Sequence, residues 1–210
     1  LSTTDIQNLT TDQIQALTTA QLVALSSTNI QALSTDQIVA LKTSQVAALS
    51  TANLGALKTD QIQAIETTDI QALTTTQLRG LSTTNIAALT TDQIVALKTS
   101  QIAGLSTTNL GALTTDQIQA IETADVQALT TAQLQGMTTT NIAALTTDQI
   151  RALKTSQIAG LSTANIAALT SDQLGALSSA QAAALTTASF AGLSTTDIQN
   201  LTTDQIQALT

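Results

Sequence analysis

The stretch LTTDQIQA, residues 9–16, is the unit from which the whole chain is built. Twenty-six such octads occupy residues 1–208, and residues 209–210 begin another. We label the octad positions a to h, so that Leu stands at a, Thr at b and c, Gln at e and Ile at f. A fixed period this short is typical of repeat proteins, in which each unit contacts only its neighbours. We therefore expect one continuous repeat array over residues 1–210 rather than separate globular domains.

Each octad carries the signals that begin a short α-helix. Ser or Thr at b is a preferred N-cap residue, and Gln at e stands where the third helical residue completes a capping box. Leu at a and Ile at f stand in the positions of a hydrophobic staple. Where Lys or Glu occupies b, as at Lys42 and Glu66, we expect the Thr at c to cap the helix instead. The pattern predicts one very short helix in every octad.

The alternative architecture is a β-solenoid, because Thr, Ile and Val also favour strands. The apolar positions a, f and h do not alternate with period two, however, and turn residues are sparse. We therefore predict an all-α solenoid of short helices and keep the β-solenoid as the alternative.

Two kinds of exception to the octad keep a common period. Asn replaces Gln at e in every third or fourth octad, and Gly replaces Ala at h with the same alternation, so both recur every 3.5 octads on average. One octad buries too little apolar surface to fold alone, so the octads must stack. We predict a superhelical coil that closes one turn in 3.5 octads, with an interior of a, f and h residues and a structural ladder and corner made by the exceptions. These are Asn29, Asn53, Asn85, Asn109, Asn141, Asn165, Gly80, Gly104, Gly136 and Gly160.

The order of the octads contains longer repeats. Lys42, Lys98 and Lys154 recur at a spacing of seven octads, which is twice the period of the exceptions. The last eighteen positions, 193–210, are identical to positions 1–18. This identity predicts a super-repeat of twenty-four octads, of which the chain is a segment within a longer array.

Composition argues against several functional classes. The chain has no Cys and no His, which removes thiolate and imidazole catalysis and the common zinc ligands. Its net charge is −8 with only six Lys and Arg residues, too few to neutralise nucleic-acid phosphates. No apolar run reaches the roughly 18 residues of a membrane span. We expect no catalytic site, no cofactor, no metal site, no nucleic-acid partner and no membrane insertion.

The octads resemble two groups of known repeats. Leu-Thr-x-Asp-Gln-Ile is similar to the start of transcription-activator-like effector repeats, but their longer period, base-reading loop and basic charge are absent, so DNA binding does not carry over. The whole array of Ala-Leu-Thr-Thr-x-Gln-Ile units resembles repeat regions of giant bacterial secreted or cell-surface adhesin-like proteins. This second resemblance implies a structural rod, stalk, spacer or filament segment outside a bacterial cell.

The alternative function is a repetitive binding surface on the same solenoid. Its Thr rows are similar to the ice-binding faces of β-solenoids, stacked Asp residues offer oxygen ligands to calcium, and a glycan is the third ligand class. Since a solenoid without polar caps presents its core at both ends, we also expect end-to-end self-association.

Overall fold

A computed structural model describes residues 2–209, and all regular structure in that range is helical. One helix of four to six residues forms in each octad, and no strand forms between residues 2 and 209. This confirms the all-α prediction, and the β-solenoid alternative is not supported. The chain divides into two compact units, Leu1–Leu105 and Ser106–Thr210, each with its own set of helices.

Every helix begins at position c, directly after the capping residue at b. The helices of the first unit, α1 to α13, are Thr3–Asn8, Thr11–Ala16, Thr19–Val23, Ser27–Ala32, Thr35–Val39, Thr43–Ala48, Thr51–Ala56, Thr59–Ala64, Thr67–Ile70, Thr75–Arg79, Thr83–Ala88, Thr91–Ala96 and Thr99–Gly104. Those of the second unit, α14 to α26, are Thr107–Ala112, Thr115–Ala120, Thr123–Ala128, Thr131–Gln135, Thr139–Ala144, Thr147–Ala152, Thr155–Ala159, Thr163–Ala167, Ser171–Ala176, Ser179–Ala183, Thr187–Ala191, Thr195–Asn200 and Thr203–Ala208.

A reciprocal pair of hydrogen bonds starts most of these helices, as the capping-box pattern predicts. In α2, the Gln13 backbone N–H donates to the Thr10 hydroxyl over 3.3 Å, and the Thr10 backbone N–H donates to Gln13 Oε1 over 2.8 Å. Both N–H groups would otherwise lack a partner at the helix start. The helix ends where Leu17 turns extended and its N–H donates to the Ile14 carbonyl over 3.2 Å.

The prediction for octads with Lys or Glu at b is wrong. Helices α6 and α9 still begin at c, so Thr43 and Thr67 are the first helical residues rather than caps. Neither Lys42 nor Glu66 caps its helix through a side-chain hydrogen bond. In α6, the Lys42 backbone N–H still donates to Gln45 Oε1 over 2.8 Å. The extended backbone at b therefore sets the helix start, whatever side chain stands there.

Leu at a and Ile, Leu or Val at f form the core of each unit, as predicted. Ile62 in the first unit and Ile142 in the second have no exposed surface. The outermost octads differ, since Leu9 is half-buried and Ile206 is exposed. Position h is less regular than predicted, because its Ala residues range from buried, as at Ala32, to exposed.

Within each unit, a helix packs against the helix three octads further along the chain. In the first unit α1 contacts α4, α4 contacts α7 and α5 contacts α8, and in the second α15 contacts α18, α16 contacts α19 and α19 contacts α22. Side chains also form hydrogen bonds with carbonyls 28 and 31 residues before them. Since 3.5 octads separate a side chain from the nearer of these carbonyls, each unit is a helical solenoid with the predicted turn.

Candidate functional site

Position e is buried along most of both units, although its residue is polar. Gln61 and Gln93 are 1 % and 2 % exposed, and Asn85 is 4 % exposed. A capping box accounts for one of the amide's polar atoms and does not require burial. Because buried polar atoms need hydrogen-bond partners, the remaining N–H groups of these side chains must be paired inside the solenoid.

Gln61 shows how one carboxamide meets this requirement. Its Oε1 accepts a hydrogen bond from the Lys58 backbone N–H over 2.8 Å, at the start of its own helix α8. Its Nε2 donates to the carbonyls of Ile30 and Leu33 over 2.9 and 2.7 Å. These carbonyls lie at the C-terminal end of α4, where the Ile30 carbonyl otherwise accepts only the Leu33 N–H and the last carbonyls have no partner within the helix. A single side chain thus caps the start of one helix and the end of another in the preceding turn.

The same arrangement recurs in both units. Nine further carboxamides, four in the first unit and five in the second, donate to the carbonyls at i − 31 and i − 28 over 2.6–3.1 Å. They are Gln37, Gln45, Gln93, Gln101, Gln149, Gln157, Gln173, Gln181 and Gln205. We call this series the carboxamide row. Sequence reasoning assigned these residues to the capping box alone, so it missed their bonds to the preceding turn.

The Asn residues singled out in the sequence occupy the same position with a shorter side chain. Asn85 Nδ2 donates to the carbonyls of Leu54 and Leu57 over 3.2 and 3.1 Å, and Asn141 makes an equivalent pair over 3.0 and 3.2 Å. Asn85 Oδ1 accepts from the Ser82 hydroxyl over 2.7 Å. Asn53 and Asn165 also donate to the carbonyl at i − 28, and the backbone N–H groups of Asn29 and Asn109 are capped by the Ser at b. The side chains of Asn53, Asn85, Asn141 and Asn165 therefore contact the main chain of the preceding turn.

The Gly residues singled out in the sequence lie where two turns approach closely. A Cβ at Gly80 would stand 2.8 Å from Cβ of Thr51, which occupies position c three octads earlier. Equally close pairs are Gly104–Thr75, Gly136–Thr107 and Gly160–Thr131. A side chain at these positions would force two turns apart, which explains why h is Gly there.

Acidic residues at e behave differently according to burial. Asp5 is exposed, and hydrogen bonds from the Ser2 backbone N–H and hydroxyl lower the pKa of its carboxyl. Asp69 and Asp125 are 2 % and 3 % exposed. For Asp69, loss of water on burial is the largest effect and raises the pKa of the carboxyl above its ordinary value. An acidic residue at e therefore caps its helix in the exposed first octad, whereas in the inner octads of each unit it is a buried group.

Other features that bear on function are few in the part of the chain that the structure describes. Between residues 2 and 209, no three acidic side chains come together as a metal site. No helix in that range has the length and apolar character needed to cross a lipid bilayer. The ion pair between Arg151 and Asp148, 3.1 Å long, joins two exposed side chains.

Comparison with known proteins places the repeat in a family. The sequence model of the ALTTAQ repeat matches residues 1–27, 11–43, 19–51, 30–64, 62–99, 95–121, 118–155 and 152–187. The motif itself, Ala-Leu-Thr-Thr-Ala-Gln, spans the junction between two octads and occurs literally at residues 16–21 and 128–133. A search of curated proteins finds no match. Since the family matches together cover residues 1–187, the chain belongs to the ALTTAQ repeat family.

Proposed function

We propose that the chain is a structural segment, acting as a stalk, spacer or filament element of a long secreted or cell-surface bacterial protein. The observation that supports this proposal is the carboxamide row, which joins each turn to the turn before it. Among residues 2–209, no buried side-chain nitrogen or oxygen lacks a partner. The repeated polar groups of the interior are thus used to hold turns together rather than to meet a ligand.

A spacer has to resist separation of its turns, and the carboxamide row suits this task. Pulling two turns apart would break two carbonyl bonds for each Gln and uncover the apolar residues at a and f. A buried polar group left without a partner costs roughly 1–3 kcal/mol. Because solenoid stability is approximately a sum over neighbouring repeats, longer arrays add further joints of the same kind.

Single-molecule stretching of the full chain tests the spacer proposal. We expect the chain to resist force and to open in steps, and Gln61→Glu to lower the opening force, because a carboxylate cannot donate to Ile30 and Leu33. The matched control is Gln63→Glu, which changes an exposed residue of the same helix. Extension at low force without steps would contradict the proposal.

The location outside the cell is proposed from the resemblance to adhesin-like repeat regions. It is tested by treating intact cells that produce the protein with a protease. We expect the repeat array to be digested while a cytoplasmic marker survives. An array that is protected until the cells are lysed would contradict a surface location.

We also propose end-to-end self-association, because the end of a solenoid without a polar cap exposes apolar core residues that a second copy can cover. Sedimentation of the chain should then show a mass that grows with concentration. A constant monomer mass would exclude this association.

A further inference from the structure

Asp69 interrupts the carboxamide row of the first unit. It stands at e in α9 with 2 % of its surface exposed, where neighbouring octads bury a Gln or Asn. By the register of the row, the carbonyls facing it are those of Leu41 and Ile38, at i − 28 and i − 31. An ionised carboxylate has no hydrogen to donate to either carbonyl.

The octads on both sides of this position keep the bond that Asp69 lacks. The Leu33 carbonyl accepts from Gln61 Nε2 over 2.7 Å, and the Leu49 carbonyl accepts from Gln77 Nε2 over 2.7 Å. Leu41 lies between them in the same series of a residues. An ionised Asp69 therefore brings negative oxygens toward a place in the fold that is built for a hydrogen-bond donor.

A carboxyl group has the reach to act as that donor once it is protonated. Asn has the same length as Asp, and Asn85 and Asn141 reach the corresponding carbonyls over 3.0–3.2 Å. A neutral carboxyl group carries one O–H donor and keeps acceptor capacity on its other oxygen. That second oxygen remains available as an acceptor to the Thr43 hydroxyl, which acts to lower the pKa of Asp69.

The one charge that acts on the pKa of Asp69 disfavours its ionised form. The helices packed against α9 are α6 and α12, whose charged groups are Lys42 at the start of α6 and Asp92 in α12. Glu66 begins α9 itself, and its charge raises the pKa of Asp69. Burial acts in the same direction and is the larger cause, while the Thr43 hydrogen bond acts against both.

We propose that Asp69 is a proton-binding site through which pH controls the stacking of α9 on the preceding turn. When the carboxyl group is protonated, its O–H donates to the Leu41 carbonyl and completes the carboxamide row. When it is ionised, the row has a gap at this octad. The second unit contains the same pair of residue types seven octads later, with Asp125 buried at e and Glu122 at b.

The direction of the pH effect follows from the raised pKa. A carboxyl group whose pKa is higher in the folded than in the unfolded chain binds protons more tightly when folded. The stability it contributes is fully present below the ordinary Asp range and is lost as the pH rises through the raised value. Each unit by which the pKa is raised corresponds to a tenfold change in the folding equilibrium constant. Acidification from pH 7 should therefore strengthen the array.

The test compares the full chain with its Asp69→Asn variant, because Asn is a natural residue at e and always donates. We expect the carbon signal of the Asp69 carboxyl group in NMR to titrate above the ordinary Asp range. We also expect Asp69→Asn to raise the urea midpoint at pH 7 and to reduce the increase on acidification. The matched control is Asp36→Asn, since Asp36 is exposed in α5. This variant should change neither the urea midpoint at pH 7 nor its increase on acidification.

Two results would overturn the proposal. One is an Asp69 carboxyl group that titrates in the ordinary range together with an Asn variant whose midpoint at pH 7 equals that of the natural chain. The other is a midpoint at pH 7 that rises on addition of calcium chloride in the natural chain but not in Asp69→Asn. That outcome would mean that the oxygens of Asp69, Leu41 and Thr43 hold a cation rather than a proton.

Discussion

The neighbouring helices α8 and α9 bury the same apolar residue but pair their polar groups differently. Ile62 in α8 and Ile70 in α9 both have no exposed surface. At e, Gln61 bonds both its own helix start and the preceding turn, whereas Asp69 completes no capping box in α9. The apolar positions therefore decide which side chains are buried, while position e decides how firmly one turn is joined to the next.

Removing the Gln61 carboxamide from α8 should lower the free energy of unfolding more than the other changes considered below. Gln61→Ala leaves the Lys58 N–H and the Leu33 carbonyl without their partner, while the Ile30 carbonyl keeps only its bond from the Leu33 N–H. Since each unpaired buried group costs about 1–3 kcal/mol, we expect the free energy of unfolding to fall by about 3 kcal/mol. Urea denaturation followed by circular dichroism measures this loss.

The control for this experiment is Gln63→Ala, two residues further along α8. Gln63 is exposed, so its removal should change the unfolding free energy by less than about 0.5 kcal/mol. Equal losses in the two variants would show that the bonds of Gln61 to the preceding turn contribute no stability.

A substitution at Gly80 tests the spacing of turns rather than their hydrogen bonds. In Gly80→Ala the new methyl group would lie 2.8 Å from Cβ of Thr51, so the two turns must shift. Overpacking of this kind costs about 1–3 kcal/mol, and the melting temperature should fall. At Gly192, also at h, a Cβ would meet only carbonyls of its own helix at 3.4 Å or more. Gly192→Ala should therefore be neutral or stabilising, and a similar loss at both sites would contradict the close approach.

The features that could be predicted from the sequence are those that a local or periodic pattern records. Thr10 and Gln13 lie within one octad, so their capping box is visible in the octad itself. The length of the solenoid turn is visible because Asn and Gly replace the usual residues at intervals that average 3.5 octads. Both features recur at fixed spacings along the chain, so the sequence pattern is enough to predict them.

The second role of Gln at e could not be predicted in the same way. The bonds of Gln61 to Ile30 and Leu33 join residues 31 and 28 positions apart, and the same Gln would be expected for a capping box alone. The extra bonds leave no separate mark in the octad. Only the fold shows which carbonyls face Asp69, and therefore that Asp at this position leaves a carbonyl without a donor. The wrong prediction for Lys42 has another cause, because it assumed that a helix start needs a side-chain oxygen.

Restoring a capping residue to α9 is the smallest of these changes and separates the two differences between α8 and α9. Glu66 makes no cap bond, whereas Thr10 in α2 accepts a hydrogen bond from the N–H three positions further on. Glu66→Thr should therefore stabilise the chain by about 1 kcal/mol, the usual worth of an N-cap.

The Glu66→Thr change also removes the charge that raises the pKa of Asp69, so the carboxyl group should titrate at lower pH than in the natural chain. The Glu66→Thr change thus strengthens the start of α9 while leaving the gap at Leu41 in place. If the NMR titration of Asp69 did not move, Glu66 would not act on that carboxyl group, and burial alone would account for its raised pKa.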